Sequence, residues 1–293
     1  MIFKGVATAL VTPFNGEYVV DEEALRYLIR RQIAYGIDAV VLCGTTGEAP
    51  TLTEAERAFV FKIGHEECEG KLPLICGCGT NDTAAAIRLC KAAMENGADG
   101  FLINNPYYNK SSDEGIFAHY AAINEAVDRP IIAYNVPSRT GKNMSAKLMR
   151  DLTKLEHLAG FKEASGDISQ LSELCAEKGE GVSVYSGCDD IILPVLCLGG
   201  DGVICTCSNL TPALCLNITD AFFEGNLEGA RRAQFALLDL YKALFCECNP
   251  IPLKYAMNSV GLPAGKLRLP LVELTGQKAN YVKSTLAEYG GLY

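Results

Sequence analysis

Histidine is scarce in this chain, basic charge runs short, and long apolar stretches are missing; each shortage excludes a class of function. Only three histidines occur, His65, His119 and His157, and they do not cluster with the cysteines. Cys76/Cys78, Cys205/Cys207 and Cys246/Cys248 are spaced C-x-C rather than the C-x2-C of common zinc sites, so no metal site is expected. Lysine and arginine number 26 against 35 aspartates and glutamates, a net charge of −9. Phosphate neutralisation needs clustered cations, which argues against nucleic acid as a partner. No run reaches the roughly 18 consecutive apolar residues of a membrane span. The apolar amino end, MIFKGVATALVTPF, is interrupted by Thr8, Thr12 and Pro13 with no small-residue cleavage site behind it, and reads as a first strand rather than a signal peptide. The 13 cysteines are scattered through apolar runs of a long chain and read as reduced core thiols. These features describe a soluble cytoplasmic protein whose partners are small molecules or copies of itself.

What the chain does have is a regular alternation. Short apolar or β-branched runs recur at Val6–Val11, Ala39–Cys43, Leu72–Cys78, Gly100–Ile103, Ile131–Tyr134, Gly160–Lys162, Val182–Tyr185 and Gly202–Cys205. Between them lie amphipathic stretches with helix start signals at Asp21, Thr53, Asp82, Ser112, Ser145 and Asp167. Glycines at 36, 70, 97 and 199 fit the stops. Near-continuous apolar strands alternating with helices imply a parallel sheet buried on both faces, and about eight such units close into a barrel. The predicted fold is therefore α/β, a (β/α)8 TIM barrel with a small C-terminal helical domain: residues 1–224 the barrel, residues 225–293 the helices. A doubly wound open sheet is the runner-up, weakened because neither G-x-G-x-x-G nor a P-loop follows the first strand.

Active sites of such barrels gather at the carboxyl ends of the strands. The second strand ends in Gly44-Thr45-Thr46-Gly47-Glu48, hydroxyls and glycine-flanked N–H groups suited to a small carboxylate, or simply a turn with a helix cap. The sixth places Lys162 within an apolar strand, with Gly160 and Ala164 on the same face leaving room for a ligand. An isolated ammonium there is costly, and burial lowers its pKa, as a Schiff-base lysine requires. A lysine paired with Glu163 is the bland alternative. Tyr107, Tyr108 and Tyr134 stand at strand ends, as proton relays or as packing residues. Arg139 on the loop after the fifth strand suits a bidentate carboxylate clamp or a surface ion pair.

Taken in order, "GTTGE", "NPYYN", "YNVPSRTG", "GFKEASGD", "YSGCDD" and "NPIPLK" resemble the dihydrodipicolinate synthase (4-hydroxy-tetrahydrodipicolinate synthase) family, within the pyruvate-dependent aldolase superfamily, across essentially the whole chain. The resemblance implies a homotetramer, a dimer of dimers, condensing pyruvate with L-aspartate-4-semialdehyde in lysine and diaminopimelate biosynthesis, with no cofactor. It implies Lys162 as the Schiff-base lysine and Tyr134 as the general acid/base. Thr45 would link Tyr134 to Tyr108, the latter reaching in from a neighbouring subunit. Thr45 and Thr46 would hold the pyruvate carboxylate and Arg139 that of the semialdehyde, with Gly187 and Ile204 lining the pyruvate site. An N-acetylneuraminate lyase or sugar-acid aldolase is the nearer alternative, disfavoured by the arginine-bearing loop. A metal-dependent amidohydrolase is the further one, disfavoured because no His-x-His follows the first strand. One departure concerns regulation. Where feedback-inhibited members carry a serine and histidines for lysine, Ala49, Pro50, Glu54 and Arg57 stand here, and Ala85 replaces an expected glutamate, although Asn81 and Tyr107 match. Weak or absent inhibition by lysine is the expectation.

Overall fold

The computed structural model describes residues 1–290 and Tyr293. Eight parallel strands run β1 Gly5–Ala9, β2 Ala39–Leu42, β3 Leu74–Gly77, β4 Gly100–Asn104, β5 Ile131–Asn135, β6 Leu158–Glu163, β7 Ser183–Ser186 and β8 Gly202–Cys205. Each pairs with the next and β8 pairs with β1, so the sheet closes into a barrel in sequence order. All eight expected strands are present. β1 stops short of the expected Val11 because the Val11 N–H leaves the ladder for Asn209 Oδ1 at 3.0 Å. β3 begins after Leu72 because Pro73 has no N–H to give the sheet.

Helices follow the strands, and their starts obey the local chemistry of the sequence. Asp21, Asp82, Ser112, Ser145 and Asp167 each accept a hydrogen bond from a first-turn N–H. Thr53 and Glu56 form a reciprocal capping box at the helix Glu54–Cys68. Gly36 closes its helix at φ 77°, a conformation a side chain would strain.

The strands' inward positions form one cluster, with Ala7, Ala9, Ala39, Val41, Ile75, Leu102, Ile132 and Ile204 among its members. Phe3 stacks on Tyr185 with ring centroids 4.1 Å apart, and the Tyr185 hydroxyl donates to the Phe3 carbonyl at 2.7 Å. That aromatic pair fills the amino-terminal end of the barrel. The outward positions pack against the helices in a separate, larger core.

Beyond the last barrel helix, Pro212–Phe223, three further helices span Leu227–Leu244, Ile251–Ser259 and Gly276–Glu288. They are anchored to the barrel through a buried ion pair. Lys254 Nζ lies 2.6 Å from Glu48 Oε1 and donates to the carbonyls of Thr12 and Lys266 at 2.7 Å each. A buried ammonium with a carboxylate and two carbonyls is well compensated, and removal of either charge would strand the other. Among the described residues no helix is long and apolar enough to cross a membrane.

Candidate active site

The turn that leaves β2 is strained at both ends. Cys43 has φ 52° and Glu48 φ 54°, both left-handed without being glycine. Such residues cost about 1–3 kcal/mol each and persist only where the surroundings hold them. Here the Glu48 carboxylate is held by Lys254 and by the Arg268 N–H at 3.0 Å, and Thr12 Oγ1 donates to the Gly47 carbonyl at 2.8 Å. Within the turn, the N–H groups of Gly47, Glu48 and Ala49 are spent on the carbonyls of Gly44 and Thr45. The N–H groups of Thr45 and Thr46 have no protein acceptor among the described residues. Two adjacent free donors in a fixed turn make a cradle for a small anion.

Opposite the turn, register brings the fifth and sixth strands' chemistry together. Tyr134 on β5 pairs with Lys162 on β6, and Lys162 with Tyr185 on β7. Lys162 is only 6% exposed, and its Nζ lies 4.5 Å from the centroid of the Tyr134 ring. Burial brings the Lys162 pKa down from 10.5 to about 8, against the opposing charge of Asp189. Glu163, the neighbour that the bland reading would have paired with this lysine, points the other way. Its carboxylate accepts from Asn135 Nδ2 at 2.8 Å, the Ser165 N–H at 2.6 Å and Gln170 Nε2 at 3.2 Å. Burial likewise pushes the Tyr134 phenol up to about 12, while the nearby Arg139 charge and a hydrogen bond to the Thr45 side chain pull it back. Tyr134 is thus a proton-bearing acid at neutral pH, beside an amine that readily gives its proton up.

A cavity of about 290 Å³ opens at this end of the barrel, lined by Thr45, Tyr134, Arg139, Tyr107, Asn104 and Asn249 among others. Lys162, Gly187 and Ile204 do not belong to that lining; the amine is one ring away, against Tyr134. Gly187 sits where a Cβ would lie 2.6 Å from that of Ala164, so only glycine lets β6 and β7 approach here. Ile204 is fully buried in the barrel interior. Arg139, on the short helix Pro137–Thr140, donates from Nη2 to the Asn249 carbonyl at 3.1 Å. Thr46 is buried, with its Oγ1 accepting from Asn249 Nδ2 at 2.9 Å. Tyr108 alone among the expected residues stands apart: it is 90% exposed, with φ 67°. One chain therefore unites Lys162, Tyr134, Thr45, Thr46 and Arg139, and leaves Tyr108 facing outward.

Several residues of the site were not singled out by sequence reasoning. Asp189 is buried, accepts from the Thr206 N–H at 3.0 Å and the Cys207 N–H at 2.7 Å, and is the charge that does most to raise the Lys162 pKa against burial. Asn249, from the turn before the helix Ile251–Ser259, and Lys254, from that helix, reach the β2 turn. The signals were the "YSGCDD" and "NPIPLK" segments, whose polar residues have no evident place in a helical or strand pattern.

The sequence pattern of the dihydrodipicolinate synthetase family matches residues 2–289. A 4-hydroxy-tetrahydrodipicolinate synthase from Thermoanaerobacter sp. (strain X514) is 46% identical over 290 residues, covering 99% of this chain and 97% of the relative. The crystal structure of a dihydrodipicolinate synthase from Thermotoga maritima superposes with a TM-score of 0.96 at 40% identity, over 99% of both chains. A dihydrodipicolinate synthase from Acinetobacter baumannii, solved in complex with pyruvate, gives 0.96 at 36% identity, again over 99% of both chains.

Proposed function

The chain belongs to the dihydrodipicolinate synthetase family, and from that premise we propose that Lys162 is the amine through which it joins pyruvate to L-aspartate-4-semialdehyde. It is a lyase of the class I aldolase type, acting in lysine and diaminopimelate biosynthesis as a 4-hydroxy-tetrahydrodipicolinate synthase does. The observation that carries the residue assignment is the buried Lys162 amine, brought down to about pKa 8 and set against the Tyr134 phenol.

In this reading the free N–H groups of Thr45 and Thr46 take the pyruvate carboxylate. The neutral Lys162 amine attacks the keto carbon, and the Tyr134 phenol protonates the departing hydroxyl, so that water leaves and a protonated imine remains. That imine draws electrons from the methyl group. Tyr134, now a phenolate, accepts a methyl proton; the resulting enamine carbon attacks the aldehyde, whose oxygen takes that proton from Tyr134 to become a hydroxyl, while Arg139 holds the semialdehyde's carboxylate. The amino group of the joined product then displaces Lys162 from the imine carbon, closing the ring and freeing the enzyme. Each step needs only carbon, nitrogen and proton chemistry that these side chains supply.

The test is borohydride reduction in the presence of pyruvate. The expected result is one reduced pyruvate adduct on the wild-type protein and none on Lys162→Ala; the same adduct on both would overturn the assignment. An assay comparing aspartate semialdehyde with N-acetylmannosamine as aldehyde acceptor separates this reading from the sialic acid lyase alternative.

We propose further that the protein works as a homotetramer built from two dimers, in the cytoplasm. A tyrosine 90% exposed on a left-handed backbone, beside an otherwise complete site, supports Tyr108 acting in a neighbouring subunit's proton relay. Sedimentation of wild type and of Tyr108→Phe at assay concentrations, with activity in parallel, tests this; full activity in a monomeric species would contradict it.

A further inference from the structure

Resting on the reading above, we infer that Asn249 is a positioning residue that makes the Thr46 hydroxyl a hydrogen-bond donor toward the substrate carboxylate. A hydroxyl has one hydrogen to give and two lone pairs to offer. At Thr46 one lone pair is occupied by Asn249 Nδ2 at 2.9 Å, so the hydrogen points elsewhere. Among the described residues no protein acceptor takes it. Thr46 is only 2% exposed and Asn249 6%, so bulk water is a poor partner for either group. A buried donor left without an acceptor is costly, and a carboxylate, which only accepts, is the complement it lacks. The same turn holds the two unpartnered N–H groups of Thr45 and Thr46. Asn249 therefore turns a group of either polarity into a third donor for one anion.

The asparagine is held at its backbone, while its side-chain Oδ1 is buried without a hydrogen-bond partner among the described residues, so the donor Nδ2 at Thr46 is its one side-chain bond. Its backbone carbonyl accepts from Arg139 Nη2 at 3.1 Å, so one residue touches both side chains assigned to the two substrate carboxylates. Five residues on, Lys254 binds Glu48 at the far end of the same turn. The segment that carries Asn249 therefore meets the β2 turn at two points, Thr46 and Glu48.

The test uses the intact enzyme and three substitutions. In Asn249→Asp the shape is kept but the donor becomes an acceptor, which captures the Thr46 hydrogen. The expected result is a KM for pyruvate raised more than about tenfold, the loss of one hydrogen bond to a charged group, with kcat at saturating pyruvate little changed. Asn249→Ala should raise it less. Adding Asn249→Ala to Thr46→Val should raise it no further than Thr46→Val alone, because the asparagine acts through that hydroxyl. An Asn249→Asp enzyme within about twofold of wild type would mean that the amide accepts from Thr46, and would overturn the inference. Additive effects in the alanine and valine pair would overturn it too, and that cycle decides the matter if the aspartate variant does not fold. Borohydride trapping at saturating pyruvate separates the two levels of the argument. Trapping on wild type with the wrong pattern of KM values sinks only the role of Asn249; no adduct on wild type sinks the Schiff-base reading with it.

Discussion

If burial lowers the Lys162 pKa from 10.5 to about 8, the rate of imine formation should carry that value as its inflection. The difference corresponds to roughly 3 kcal/mol of bias toward the neutral amine. At pH 7 about one amine in ten is then neutral, against about one in three thousand for an unperturbed lysine, a gain of about 300-fold in nucleophile. The assay is rapid-quench borohydride trapping at saturating pyruvate between about pH 6 and about pH 10. The trapping rate should rise about tenfold per pH unit at the acid end and level off above about pH 8. A rise that continues unbroken to about pH 10 would refute the claim that the barrel interior has shifted this amine. A second arm tests the electrostatics. The Asp189 carboxylate holds the Lys162 pKa up, so Asp189→Asn should move the inflection to lower pH. Movement to higher pH would contradict the assigned direction.

The same desolvation predicts that Lys162→Met stabilises the protein at pH 7 by about 1–3 kcal/mol in urea unfolding, since the folded chain no longer buries an ammonium. Between about 8 and 10.5 the unfolded chain holds more protons than the folded one, so that gain should fade as pH rises through this window. Arg139→Ala should lower kcat/KM for the semialdehyde by about 10- to 100-fold while leaving pyruvate trapping nearly unchanged; equal losses on both substrates would count against its role. Lys254→Met leaves the Glu48 carboxylate buried without its cation and should cost about 3–5 kcal/mol, most of it regained in Glu48→Gln/Lys254→Met; no regain would mean that the pair is not the source. With Arg57 and Ala85 standing where feedback-inhibited relatives bind lysine, added lysine should inhibit weakly or not at all, and sub-millimolar inhibition would refute this.

The barrel was legible because its signals are local. Apolar runs mark the strands, and Asp21, Thr53, Asp82, Ser112, Ser145 and Asp167 each sit one residue before a helix and cap it. Lys162 was legible for a related reason: a lysine between Gly160 and Ala164 on the inward face of an apolar strand is a contradiction that asks for a chemical explanation. What the pattern did not reveal are the contacts that close over long stretches of chain. Asn249 meets Thr46 across 203 residues, and Lys254 meets Thr12 across 242. Periodicity carries no information about such meetings, because they follow only from where the finished barrel sets its rim. Tyr108 marks another boundary, since the partner expected for it belongs to a second molecule.

The Glu48–Lys254 pair gives the order of biosynthesis a meaning for this enzyme. Ribosomes deliver the amino end first, so all eight strands emerge before Lys254 exists. During that interval the Glu48 carboxylate lacks both Lys254 and the Arg268 N–H, and the β2 turn keeps only its own backbone hydrogen bonds and the Thr12 hydroxyl on Gly47. A nascent polypeptide would own its nucleophile before the turn opposite it has its full set of supports. The last stretch of chain to be made thus supplies the buried cation under the turn that is read as the keto-acid cradle.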